Sequence, residues 1–348
     1  MKKFLLPLLV LIVGFNSCSE DFEIAAPYKE ITVVYGILDT RNAAQYIRVQ
    51  KAFMDENKSA LTMARDADSS FYRGLRVQMR ELNGSAIAAT FELQRVDLIA
   101  EGFPKDTGAF FNTPSIAWKT TQQLNPDRRY RLVVTNTETG RADSAETEVI
   151  DSARSSFGII QLDLQSNYFI NFSRSTSNLL LSPTTPFPSS IKMMEGMMRF
   201  HVIDRNTVTG VETERTYDYT FIQTDSTQNN WPRIEASNAG FYSFLASELG
   251  PAPPNVQRYL DSPDVFIYAG TRELLRYQIF TKAQGGITGD QVRPIYTNII
   301  SQDGNALGLF AARTARVSME VPLAPIVIDS LASNPQTSNL NIVGIYYR

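Results

Sequence analysis

One cysteine, Cys18, and one histidine, His201, in 348 residues remove whole classes of chemistry. Without a second thiol the chain can form neither an intrachain disulfide nor a multi-thiolate metal site. With a single imidazole a multi-histidine metal centre is excluded, and a Ser-His-Asp triad would have to use His201. The excess of charge of one sign is also small. The 33 Lys plus Arg and 36 Asp plus Glu give a net charge of −3, and the positive charges are scattered, so the basic footprint of a nucleic-acid binder is missing. No nucleophile-elbow, phosphate-loop or zincin pattern occurs. Gly285-Gly286-Ile287-Thr288-Gly289 lacks the phosphate-loop lysine and reads as a turn, and Asp66 with Asp68 lacks the other ligands of a calcium loop and reads as a solvated face. Nothing in these residues calls for a metal or a cofactor.

What is present begins at the N-terminus. Lys2 and Lys3 precede an apolar run from Phe4 to Phe15, about a dozen residues where a bilayer core needs roughly 20. The pattern is that of a secretory leader over residues 1–17. Phe15-Asn16-Ser17-Cys18 resembles the lipobox of bacterial lipoproteins, with a small residue before the cysteine and Phe15 in place of the usual leucine. The resemblance implies that Cys18 is acylated and becomes the mature N-terminus. Ser19, Glu20, Asp21 and Glu23 resemble the serine-plus-acidic export signal of Bacteroidota lipoproteins, which implies an outer-membrane protein displayed at the cell surface. Residues 18–30, with Pro27, then read as a short polar tether.

From Ile31 the periodicity is that of strands. Ile31–Leu38 is β-rich, and Gln45–Gln50 alternates Ile47 and Val49 against polar neighbours, so the two predict a hairpin turning at Asp39–Asn42. Leu61, Ala64, Ala67 and Phe71 recur at helical spacing after a capping Ser59. Leu75–Leu82 followed by Asn83-Gly84 predicts another hairpin, and Phe91–Leu98 reads as one further strand. Trp118 alternates like a core residue. In Leu124–Val134 a leucine, a Pro-Asp turn and Tyr130 opening an alternating strand resemble the corner before strand F of immunoglobulin-like sandwiches. Ala142–Ile150 closes a first domain at 31–150.

The second domain, 151–348, reads as β-rich with short helices. Ser173–Ser190, with Pro183, Pro186 and Pro188, is expected to be a loop. Met197–Asp204 and Val211–Gln223 form a hairpin at Thr209-Gly210, with Tyr217, Tyr219 and Phe221 on one face, and His201 is a strand residue inside it. Asn238–Leu249 is a helix capped by Asn238 and stopped at Gly250. Leu274–Lys282, Val292–Ile300, Asn305–Thr314 and Arg316–Val321 read as strands, Ile326–Ala332 as a helical turn and Asn341–Tyr347 as a final strand. The expected fold class is therefore mostly β: two β-sandwich-like, immunoglobulin-like domains with a few short helices.

Pro294-Ile295-Tyr296-Thr297-Asn298-Ile299, the run Asp303–Arg313 and the opening Val33-Val34-Tyr35-Gly36 together resemble an uncharacterised family of Bacteroidota outer-membrane lipoproteins, of no established activity. Its members are often encoded beside TonB-dependent receptors, and the resemblance implies such a receptor as partner. The expected function is a non-catalytic accessory of that transporter. An alternative is a glycan-binding protein of a polysaccharide-uptake system, for which Asn229, Asn230 and Trp231, an indole in a turn beside polar amides, are the candidate ligand residues. A hydrolase ranks behind both, because nothing marks a pair of catalytic carboxylates.

Overall fold

The computed structural model describes residues 31–52, 59–108, 110–150, 160–162, 170–173, 178–183, 189–223, 234–283 and 296–347. In the first part these form strands β1 (Thr32–Leu38), β2 (Gln45–Lys51), β3 (Leu75–Asn83), β4 (Ala86–Glu92), β5 (Gln94–Asp97), β6 (Ile116–Thr120), β7 (Arg129–Asn136) and β8 (Ala142–Glu148), with helices α1 (Ala60–Ala64) and α2 (Ala67–Ser70). The second part contains β9 (Ile160–Leu162), β10 (Asn178–Pro183), β11 (Met193–Asn206), β12 (Glu212–Gln223), β13 (Ile234–Ser237), α3 (Asn238–Leu249), β14 (Val256–Leu260), β15 (Asp264–Gly270) and α4 (Arg272–Ala283). It ends with β16 (Ile300–Ser301), β17 (Ala306–Ser318), α5 (Ile326–Ser333) and β18 (Ile342–Ile345). The chain is mostly β, as its periodicity predicts.

The alternation in β1 and β2 puts Val34, Leu38, Ile47 and Val49 on one buried face, and antiparallel pairing sets Val34 opposite Val49. The hairpin closes through Gln45, whose amide donates to the Asp39 carbonyl at 2.9 Å and whose oxygen accepts the Asp39 N–H at 3.0 Å. Strands β1, β2, β6 and β5 lie side by side in one sheet, and β8, β7, β3 and β4 in another. Assigned in chain order, these are the A-B-E-D and G-F-C-C′ strand orders of the immunoglobulin fold. Val34, Ile47, Met79, Leu132 and Ala145 fill the space between them.

Tyr130 forms the expected corner. Fully buried at the start of β7, its hydroxyl accepts the Asn125 N–H at 2.6 Å and donates to Glu81 at 3.3 Å. Burial is the main reason that its pKa rises to about 12.

Three expectations for the first part need correction. The helical stretch is two short helices, because Asp66 caps the second by accepting from the Asp68 N–H and the Ser69 hydroxyl. Phe91–Leu98 is two strands in different sheets. Leu93 still donates its N–H to Val77 of β3 at 2.9 Å, whereas Gln94 pairs with Lys119 of β6. Phe91 and Leu93 both pack on the first core, so the alternation runs through the change of sheet without a break. Trp118 is half-buried against this core rather than inside it.

Strand β17 ties the two parts together. It was expected as two runs, but it is one strand whose first half pairs in parallel with β1 (Thr32 opposite Ala306) and whose second half pairs antiparallel with β15 (Gly270 opposite Arg313). Ile299, Ala306, Phe310 and Ala312 consequently pack in the first core, although they lie beyond residue 151 in the chain. The Asn298 side chain acts as a strand substitute: its amide nitrogen donates to the Phe310 carbonyl at 2.7 Å and its oxygen accepts the Phe310 N–H at 2.9 Å. At Gly308 (φ 120°) a Cβ would lie 1.8 Å from the Val34 carbonyl oxygen, so the close approach of β1 and β17 requires glycine.

The second core sits under β11. This strand pairs along one edge with β12, and along the other with β15 and then β14. Met194, Met198, Phe200 and Val202 face inward and are covered by α3 and α5 through Phe241, Leu245, Val327 and Leu331. Phe172 stacks on Phe241 at 4.1 Å. Tyr219 and Phe221 join this core, with Tyr217 packed at its margin, as their shared face predicts.

Here too the structure corrects several expectations. Leu274–Lys282 is not a strand but lies in helix α4: Leu275, Tyr277 and Ile279 mimic a strand's alternation, yet Ile279 is exposed while Leu274, Leu275 and Tyr277 pack on Met193, Leu309 and Ala311. The cap of α3 is Ser237, whose hydroxyl accepts the Gly240 N–H at 3.1 Å, and Asn238 is the first helical residue. The expected loop at 173–190 contains β10, which carries Leu179-Leu180-Leu181 and ends at Pro183. Of the expected strand Val292–Ile300, Ile300 alone is in a strand and 292–295 lie outside the described residues. Among the described residues no helix is long and apolar enough to cross a membrane.

Candidate binding cleft

Cys18, Ser19, Glu20, Asp21 and Glu23 lie outside the described residues, as do Asn229, Asn230 and Trp231 and the glycines at 285–289. His201 is described and is a cross-strand tie. Its Nδ1 is 2.8 Å from Glu214 of β12 and its Nε2 3.2 Å from Asp264 of β15, and Asp264 also accepts the Glu320 N–H at 2.9 Å. Both ring nitrogens therefore face carboxylates, an arrangement that fixes the imidazole between strands. Among the described residues no cluster of His, Cys, Asp and Glu could hold a metal ion.

Among the described residues, a cleft of about 380 Å³ at the junction of the two parts offers a ligand the most varied set of polar groups. One wall is Arg129 of β7 with Glu146, Thr147 and Glu148 from the end of β8; the other is Ser189, Ser190 and Lys192 with Arg272 and Glu273 from the start of α4. The second wall is held by backbone: Lys192 donates its N–H to Gly270 at 2.9 Å and Thr271 to Ala312 at 3.0 Å, while the buried Thr271 hydroxyl accepts the Ala312 N–H at 3.3 Å. On the first wall Glu146 is already engaged, pairing with Arg129 and accepting from Arg131 Nε at 2.6 Å. Every lining residue carries a charge or a hydroxyl.

A second recess, about 370 Å³, is lined by Ile203, Glu212, Glu214 and Tyr346. Its own groups consume its polarity: Glu212 accepts the Tyr346 hydroxyl at 2.8 Å and pairs with Arg205. These two contacts, the tyrosine's first, hold the Glu212 carboxyl below the usual range.

Sequence reasoning misses the main cleft because its residues come from four separated segments. The one local trace is the alternating charge of Arg129 and Arg131 facing Glu146 and Glu148 on neighbouring strands.

A family of proteins, described as a domain of unknown function (DUF4249), matches residues 19–318. The chain belongs to the DUF4249 family. No curated protein matches it. The DUF4249 match starts one residue after Cys18 and ends at Ser318, the last residue of β17. Both walls of the cleft lie inside it, whereas α5 and β18, which complete the second core, lie beyond.

Proposed function

We propose that this DUF4249 protein is a surface-exposed outer-membrane lipoprotein, held by acyl chains on Cys18 and acting without catalysis as an accessory of a TonB-dependent transporter. The observation that carries the reading is the junction at Cys18. A leader too short to span a bilayer ends at the sole cysteine, and the family match begins at the next residue. One chain of myristoyl length binds a bilayer marginally, at about 0.8 kcal/mol per buried methylene, and stable anchoring needs a second signal. Several chains on one cysteine would hold the protein beside its partner, and confinement to the membrane plane would let a weak interface suffice.

Cys18→Ser tests the anchor: the variant should lose labelled palmitate and leave the membrane fraction, and unchanged partition would refute the assignment. Affinity purification after gentle detergent extraction tests the partner. Recovery of a β-barrel receptor is the expected result, and its absence under several extraction conditions would remove the accessory role.

A further inference from the structure

Ligand pockets are mostly apolar with a few placed polar groups. The junction cleft has the opposite make-up, with no aromatic or aliphatic residue in its lining. It therefore offers little to an apolar molecule, and nothing on which a sugar ring could stack.

Its charges are not used up internally. Glu146 is shared between Arg129 and Arg131. Glu148 on the same wall, and Lys192, Arg272 and Glu273 on the facing wall, form no ion pair among the described residues. The two cations sit close in the fold, because Lys192 hydrogen-bonds to Gly270, two residues before Arg272. A simple anion entering the cleft would meet Glu148 and Glu273, and a simple cation would meet Lys192 and Arg272. A solute with a carboxylate at one end and an ammonium at the other can pair with Lys192 and Arg272 on one wall and with Glu148 on the other, so the like-charge contacts that reject simple ions become its source of selectivity. The volume, about 380 Å³, is at the small end of ligand sites, which run from roughly 300 to 1,000 Å³.

We propose that the cleft binds a short zwitterionic peptide, with its carboxylate at Lys192 and Arg272 and its ammonium at Glu148. The ligand would bridge the two parts of the molecule where β8 and α4 face each other. This assignment is independent of membrane anchoring, so its failure and a failure of the Cys18 tests are distinguishable.

The test is calorimetric titration of the full chain, purified in detergent at low salt, with tri-alanine, its N-acetyl derivative, its C-terminal amide and maltotriose. Tri-alanine should bind, and blocking either end should weaken binding about tenfold, the scale of one lost hydrogen-bonded charge. Glu148→Gln should abolish the penalty for acetylation and leave that for amidation. Lys192→Ala and Arg272→Ala should do the reverse. Circular dichroism checks that each variant is folded, and added salt should weaken the wild type more than the variants. Absence of tri-alanine binding at millimolar concentration, equal binding of the blocked peptides or maltotriose, or variants that bind all four probes like the wild type would each overturn the proposal.

Discussion

Replacing Tyr130 by phenylalanine removes one oxygen from the interior of the first sandwich. That oxygen accepts the Asn125 N–H at 2.6 Å and donates to Glu81 at 3.3 Å, and the ring around it is fully buried. Phenylalanine fills the same space, so there is no cavity term; what remains is a backbone donor left without its acceptor. Such a loss costs about 1–3 kcal/mol, and about 2 kcal/mol is expected here because Asn125 is partly exposed to water. The hydroxyl also supplies a pH signature. Its folded pKa of about 12 stands above the ordinary value of 10.0, so between those values the unfolded chain releases a proton that the folded chain keeps. Stability from this group is complete below pH 10 and is lost as pH rises toward 12, by at most about 3 kcal/mol at 1.36 kcal/mol per unit. The wild type and Tyr130→Phe should therefore differ in urea midpoint at pH 7 and converge as pH approaches 12, the other tyrosines cancelling between them. Equal midpoints at pH 7, or a gap that persists at pH 12, would refute this account of the corner.

Two further predictions concern the second core and the seam. Arg258, 2% exposed, donates to Asp204 at 3.2 Å and to the carbonyls of Gly250, Leu249 and Leu340 at 2.7, 3.2 and 3.3 Å. Its removal in Arg258→Ala should cost about 3–5 kcal/mol, and Arg258→Lys should recover only part because one ammonium cannot reach all four acceptors; full recovery of the melting temperature by lysine would contradict this. Gly308→Ala should destabilise by about 3 kcal/mol or more, since β1 must move away from the new methyl group. Gly304→Ala, also at positive φ (74°) but with open space around it, should cost about 1–2 kcal/mol. Equal melting temperatures for the two variants would mean that the close approach at Gly308 is not what requires glycine there.

The first sandwich was largely legible because its information is local. Asn83-Gly84 sets one hairpin, and Gly84 takes the positive φ (64°) that such a turn needs. Leu124 to Tyr130 holds a whole corner, whose donor and acceptor are five residues apart. α4 was misread for the complementary reason. The period of Leu275, Tyr277 and Ile279 fits a strand, and what makes the segment a helix is the apolar patch of Met193, Leu309 and Ala311 on the outside of the sheet, assembled from two strands far away in the chain.

Composition and local pattern, without any coordinates, restrict the chemistry to what one thiol and one imidazole allow and specify strands, because side-chain period and turn residues act over a few positions. Tertiary structure alone decides that β17 pairs with β1 on one half and β15 on the other, and that Glu148, Lys192 and Arg272 line one cleft. The pairing of β1 with β17 joins residues 274 positions apart, and Glu148 lies 44 positions from Lys192 and 124 from Arg272. These relations depend on which buried faces find each other when the chain packs, and no short window of sequence holds both partners.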